Sequence, residues 1–228
     1  MQILAHRGWW LEPSEKNTAT AFSRALSSGY GLEIDVRDCD GRVVVSHDMP
    51  RVGHSLSFEQ FLEIYGANGG RQQVAINIKS DGIAQEVSRL ISSSGLDEYF
   101  VFDMSIPDTV AYLQMGLRVF TRRSEFETGS LLDGRAAGLW LDAFSEPYVP
   151  SDRISAAVEG KKPFALVSPE LHQRGHVGAW AVWRDIISAL SEEQRQMIMI
   201  CTDLPSEAAS FFVNIDDRAT TNDQSRCF

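Results

Sequence analysis

Val74-Ala75-Ile76-Asn77-Ile78 and, a few residues on, Ile83-Ala84-Gln85-Glu86-Val87-Ser88-Arg89-Leu90-Ile91 hold the pattern that decides the fold. The first stretch is a short apolar run of strand length. In the second, Ile83, Val87, Leu90 and Ile91 recur at the spacing that gives a helix one apolar stripe. A buried strand followed by a helix that lies on it is the unit of a parallel sheet. Working outward, the same alternation fills the chain. Strand patterns fall at 3–5, 31–36 with 43–46, 74–78, 99–102, 118–120, 138–141, 164–167 and 197–200. Helical patterns fall at 18–26, 57–65, 83–91, 107–115, 125–132, 152–158, 177–190 and 206–212. Counting 43–46 as a hairpin arm on the second strand leaves eight strand–helix units. Eight close an α/β (β/α)8 barrel, whereas six or seven would favour an open doubly wound sheet.

No Pro- or Gly-rich linker interrupts the series, so one domain is expected over residues 1–215, with a polar tail at 216–228. The chain's 228 residues, 43% hydrophobic and 23% charged, suit a globular domain with a sizeable core. A net charge of −10 argues against a surface for nucleic acid or for stable association with an anionic membrane. Met1-Gln2-Ile3-Leu4-Ala5-His6 is not a secretory leader, and no apolar run is long enough to span a bilayer. Cys39, Cys201 and Cys227 are odd in number and far apart, which suits reduced thiols and a cytoplasmic location.

Chemistry-bearing residues gather where strands end. His6-Arg7-Gly8 follows the first strand, on the side where such barrels place their active sites. In Glu33-Ile34-Asp35-Val36, period-two geometry puts both carboxylates on one face of the second strand. Two neighbouring buried carboxylates repel unless a cation lies between them, and oxygen ligands of this kind suit Mg²⁺ or Ca²⁺. Val44-Val45-Ser46-His47-Asp48 supplies a second strand-end histidine, so that two acid/base groups flank a carboxylate pair in sequence. Trp9 and Trp10 follow Gly8 and could stack on a ligand or pack on a helix. Asp142 and the turn Ser168-Pro169-Glu170-Leu171-His172 follow later strands, with Glu170 a candidate ligand for substrate. Trp180 and Trp183, three apart on a helix, read as core, and His54 and His176 as loop residues without a role.

These motifs resemble the glycerophosphodiester phosphodiesterase family. The resemblance rests on His6-Arg7-Gly8, Asn17-Thr18 with Ala21-Phe22, Glu33-Ile34-Asp35-Val36, Val44-Val45-Ser46-His47-Asp48, Asn77-Ile78-Lys79 and Thr202-Asp203-Leu204-Pro205. It implies a TIM barrel that hydrolyses phosphodiesters, with His6 and His47 as general acid and base. It also implies one divalent cation, Mg²⁺ or Ca²⁺, on Glu33, Asp35 and the position of Asn77, and a phosphate held by Arg7 and Lys79. The substrate expected is a small glycerophosphodiester-like or polyol-phosphate diester. A lyase stopping at a cyclic phosphate and a non-catalytic binding module are the alternatives. Two positions depart from the family pattern. Pro13-Ser14-Glu15-Lys16-Asn17-Thr18 is a longer loop in which Lys16 replaces a Glu, and Asn77 stands where the family has a third acidic ligand. Glu170, or failing it Asp142, is expected to reach in and make good the missing charge.

Overall fold

The computed structural model describes residues 1–212; the expected tail at 216–228 lies outside them. Nine strands form one sheet: β1 (Gln2–His6), β2 (Gly31–Cys39), β3 (Arg42–Val45), β4 (Val74–Ile78), β5 (Tyr99–Phe102), β6 (Phe120–Arg123), β7 (Gly138–Leu141), β8 (Phe164–Val167) and β9 (Ile198–Thr202). Eight run parallel in the order β5-β4-β2-β1-β9-β8-β7-β6, and β3 is an antiparallel arm on β2. The two ends meet through a parallel bridge between Val101 and Val119, where Val101 N–H donates to the Arg118 carbonyl at 2.8 Å. This closes the barrel. The architecture is a (β/α)8 TIM barrel with the hairpin arm that the sequence called for.

The helices are α1 (Ala19–Ser27), α2 (Phe58–Ala67), α3 (Ala84–Ser94), α4 (Ile106–Gln114), α5 (Ser151–Glu159), α6 (Val177–Ser188) and α7 (Glu192–Gln196), with residues 205–212 also helical. Their starts are chemically specified. Thr18 and Ser105 cap α1 and α4, and Ser57 with Gln60 forms a reciprocal capping box on α2. On α3 the apolar stripe Ala84, Val87, Leu90 and Ile91 is buried, and Gly95 ends the helix in a left-handed conformation (φ 72°).

Two expectations fail around β6. Residues 125–132 form a loop, because Phe126 and Leu131 are exposed and no apolar stripe exists to anchor a helix. The strand itself starts two residues late, at Phe120, and runs through Thr121-Arg122-Arg123, which reads as polar in sequence. Its backbone pairs with β7 from Phe120↔Gly138 to Arg123↔Leu141, so ladder bonds override side-chain character. Helix α7 was also unforeseen; it is short and polar, and exists by virtue of a capping box between Ser191 and Gln194.

The barrel interior explains where the site must lie. Leu4, Ala75, Phe100, Phe102, Phe120, Trp140, Ala165, Val167, Met199 and Cys201 form one buried cluster inside the strands. Phe100 stacks on Phe120 at 3.7 Å between ring centres and Phe102 on Trp140 at 4.0 Å. Gly138 makes room: a Cβ there would meet the Phe120 ring at 2.3 Å. Two residues further along the same strands the inward face turns polar, from Leu4 to His6, Ala75 to Asn77, Phe120 to Arg122 and Trp140 to Asp142. The apolar plug ends and a polar cavity begins at the carboxyl ends of the strands. Outside the barrel, Trp180 and Trp183 are buried as expected. Their ring N–H groups donate to Ser168 Oγ (2.7 Å) and the Val149 carbonyl (3.1 Å).

Candidate active site

A cavity of about 290 Å³ opens at those strand ends, and His6, Arg7, Glu33, His47, Asn77 and Lys79 all line it. Six positions drawn from separate stretches of sequence thus meet in one place. The turn after β1 sets their arrangement. Arg7 and Gly8 both have positive φ (59° and 85°), and a Cβ on Gly8 would meet Ala21 at 2.8 Å, so only glycine fits there. The strained turn lets the Arg7 N–H donate to the backbone carbonyl of Glu33 (2.9 Å) and to its Oε2 (3.2 Å).

Glu33 and Asp35 are 1% and 0% exposed. Asp35 faces Arg7 Nε at 2.9 Å and Lys79 Nζ at 3.6 Å, and accepts from Asn17 Nδ2 at 2.9 Å. Glu33 lacks a full charge partner of that kind: Asn77 Nδ2 donates to its Oε1 at 3.2 Å, and His6 Nε2 lies 3.9 Å from its Oε2. Burial, together with repulsion from Asp35, pushes the Glu33 carboxyl up to about 7. The sign for stability follows. In metal-free protein the folded state holds a proton on Glu33 that the unfolded chain has lost above its ordinary value of 4.5. This group's contribution is therefore full below 4.5 and declines as pH rises through about 7. Thermal melts of metal-free protein across that range should lose on the order of 1–3 kcal/mol from this source, and Glu33→Gln should flatten the profile. A wild-type profile that rises over the same interval would contradict the assignment.

Each histidine has a carboxylate at its Nδ1. His6 Nδ1 lies 2.6 Å from Asp203 Oδ1, and His47 Nδ1 lies 2.8 Å from Asp48 Oδ1. A carboxylate only accepts, so each ring carries its proton on Nδ1 and turns Nε2 to other work. Asp203 is a hub that sequence reasoning named within a motif but gave no role. It also accepts from Trp10 Nε1 at 3.3 Å and faces Lys16 Nζ at 3.6 Å, with Lys16 lying 4.3 Å over the Trp10 ring. Burial pushes the Asp203 carboxyl up, but His6, Lys16 and Trp10 more than reverse this and leave it below the usual carboxylate range.

Other expected residues fall elsewhere. Neither tryptophan lines the cavity. Trp9 packs on the outer core, edge-on to Tyr30 at 5.5 Å, while Trp10 braces Asp203. The expectation that they stack on substrate therefore gives way to packing for Trp9 and positioning for Trp10. Trp10→Phe, which removes the indole N–H while keeping an aromatic ring, should lower turnover several-fold and evenly across leaving groups; a leaving-group-dependent KM would restore the stacking role. Glu170 is likewise absent from the cavity wall. Its carboxylate takes the hydroxyls of Ser168 and Thr202 and the Asp203 N–H (3.2 Å), which ties down the backbone beneath the His6 partner. Asp142 does line the cavity but is committed to His172 Nε2 (2.7 Å) and the Ala143 N–H (2.8 Å). Neither carboxylate reaches Asn77, and among the described residues no three His, Cys, Asp or Glu side chains gather to hold a metal. Two buried oxygens nevertheless stand without hydrogen-bond partners, Asp35 Oδ1 and Asn77 Oδ1, on residues that face each other in the β2–β4 register. With the Glu33 carboxylate they make an all-oxygen set that fits a hard divalent cation.

No protein-family model matches this sequence, and no curated protein matches it. Comparison with solved structures does find relatives of the same shape. A glycerophosphodiester phosphodiesterase from Parabacteroides distasonis superposes with a TM-score of 0.67 at 16% identity, covering 96% of this chain and 98% of the other. One from Agrobacterium tumefaciens gives 0.67 at 18%, covering 95% and 99%. The chain shares their fold. A Ca²⁺-dependent phosphatidylinositol-specific phospholipase C from Streptomyces antibioticus follows at 0.57 and 14%, covering 91% and 95%. These matches cover nine-tenths or more of the chain, so what is shared is the barrel as a unit. What the chain does has to be argued from its own side chains. Among the described residues no helix is long and apolar enough to cross a membrane.

Proposed function

We propose that the chain is a phosphoric diester hydrolase acting on a small glycerophosphodiester-like or polyol-phosphate substrate, assisted by one divalent cation. The observation that carries this is the convergence of His6, His47, Glu33, Asn77, Arg7 and Lys79 on one cavity. Arg7 turns Nε toward Asp35, its terminal nitrogens are the fork that would take the phosphate, and Lys79 adds a point charge beside it. His6, oriented by the Asp203 carboxylate, takes the proton of the attacking hydroxyl or water at Nε2. His47, more exposed, acts in its doubly protonated form: Nδ1–H stays on Asp48 and the Nε2 proton goes to the departing alcohol oxygen. His6 then gives up its proton and His47 takes one from solvent, which resets the pair. A neighbouring hydroxyl of the substrate can attack phosphorus first, in which case water reopens the cyclic phosphate in a second step. Glu33, Asp35 and Asn77 would hold Mg²⁺ or Ca²⁺, which when bound polarises a phosphoryl oxygen. The same reading places the enzyme in the cytoplasm, which suits the unpaired Cys39 and Cys201.

Phosphorus NMR on a panel of small diesters tests the proposal directly. The expected result is a phosphomonoester. Accumulation of a cyclic phosphate would turn the enzyme into a lyase, and an unchanged spectrum with bound substrate would leave a binding module.

A further inference from the structure

Where β6 lacks its helix, residues 124–137 join β6 to β7 as a loop. The loop is fastened at both ends. Glu125 accepts the N–H and hydroxyl of Ser145, Asp133 accepts from Thr121 Oγ1 (2.7 Å) and the Ser130 N–H (3.1 Å), and Lys162 Nζ donates to the Ala136 carbonyl at 2.6 Å. Beneath it lies a second cavity, of about 370 Å³. One wall of this side cavity is the ion-paired group Asp103, Arg122 and Glu127, and Asp103 and Arg122 also line the catalytic cavity. Lys79, one of the two phosphate-holding cations, is 3.2 Å from Asp103 Oδ2. A single ion pair thus separates the phosphate seat from the side cavity.

The chemistry of the side cavity limits its occupant. Arg122 is shared between Asp103 and Glu127, and Lys79 also faces Asp103, so two cations answer two carboxylates and the polar wall offers no unpaired charge to a charged alcohol. Met104, Ile106, Phe120, Phe126 and Leu132 add apolar side chains to the cavity's lining. Ile106 and Phe126 are 63% and 71% exposed, apolar surface that a bound aliphatic group would remove from water. We infer that the side cavity is a subsite for one alcohol of the phosphodiester, an uncharged alcohol that carries an aliphatic portion. The inference deepens the phosphodiesterase reading and rests on it for the position of the phosphate.

The test uses a homologous series of glycerophospho-n-alkyl diesters, methyl to hexyl, with the matching n-alkyl phosphates as non-reacting probes in calorimetry. In the wild-type protein kcat/KM and probe affinity should both rise roughly three- to fourfold per methylene until the cavity is filled. Ile106→Ser and Phe126→Ser should at least halve that slope. Leu131→Ser should keep it, since Leu131 is fully exposed and outside the cavity. Turnover or probe binding that is flat with chain length overturns the subsite, as does an undiminished slope in both serine variants. Probe affinity that climbs with chain length in the absence of any turnover would instead overturn the phosphodiesterase reading and leave the subsite standing.

Discussion

His6→Ala and His47→Ala are each expected to lower turnover by about 10²- to 10⁴-fold while leaving the fold intact. Both rings sit at strand ends over the cavity rather than in the packed interior, and the His47 side chain is 43% exposed, so little packing is lost. The two sites differ in how firmly each ring is held. Asp203 is itself anchored by Trp10 and by the Glu170 brace on its N–H, whereas the Asp48 side chain is 93% exposed. Asp203→Asn should accordingly cost a large part of what His6→Ala costs and displace the acidic limb of the pH–rate profile, while Asp48→Asn should cost little. Steady-state kinetics on the four variants, with melting temperatures as a control on folding, would decide. Near-wild-type turnover in His6→Ala or His47→Ala would remove that residue from the mechanism.

The barrel was legible because its strands are buried on both faces. Tyr99–Phe102, Gly138–Leu141 and Phe164–Val167 are unbroken apolar runs and Val74–Ile78 is interrupted only by Asn77, and the ends of all four coincide with the observed strands. The carboxylate pair was legible for the same geometric reason: period two forces Glu33 and Asp35 onto one face whatever surrounds them. What escaped sequence reading depends on pairings between distant residues. Thr121-Arg122-Arg123 looks like a loop until Asp103, Glu127 and Asp133 are seen to pair with its arginines. Asp203 lies 197 residues from His6, and nothing local marks it as the partner of that ring. Glu170 was singled out because a carboxylate after a barrel strand usually faces substrate. The 3-10 turn Pro169–His172 instead folds it back onto Ser168 and Thr202.

Exhaustive chelation is expected to abolish activity, and Mg²⁺ or Ca²⁺ to restore it and raise the melting temperature by mass action. The cation should bind weakly. Arg7 and Lys79 already face Asp35, Glu33 is drawn toward its protonated form, and Asn77 supplies a carbonyl oxygen without charge. Asn77→Glu therefore makes a two-sided prediction. A third buried carboxylate beside Glu33 and Asp35 adds repulsion that the metal-free protein has no means to answer, so its melting temperature should fall. The same charge strengthens the cation site, so metal affinity should rise by roughly tenfold or more and the melting temperature should recover on titration. Glu170→Gln should leave metal affinity unchanged, because that carboxylate is tied to Ser168, Thr202 and the Asp203 N–H. Calorimetric titration of the wild type and both variants separates the cases. Equal affinity in Asn77→Glu and wild type would show that residue 77 does not touch the cation, and full activity after chelation would leave the two histidines, Arg7 and Lys79 to act without it.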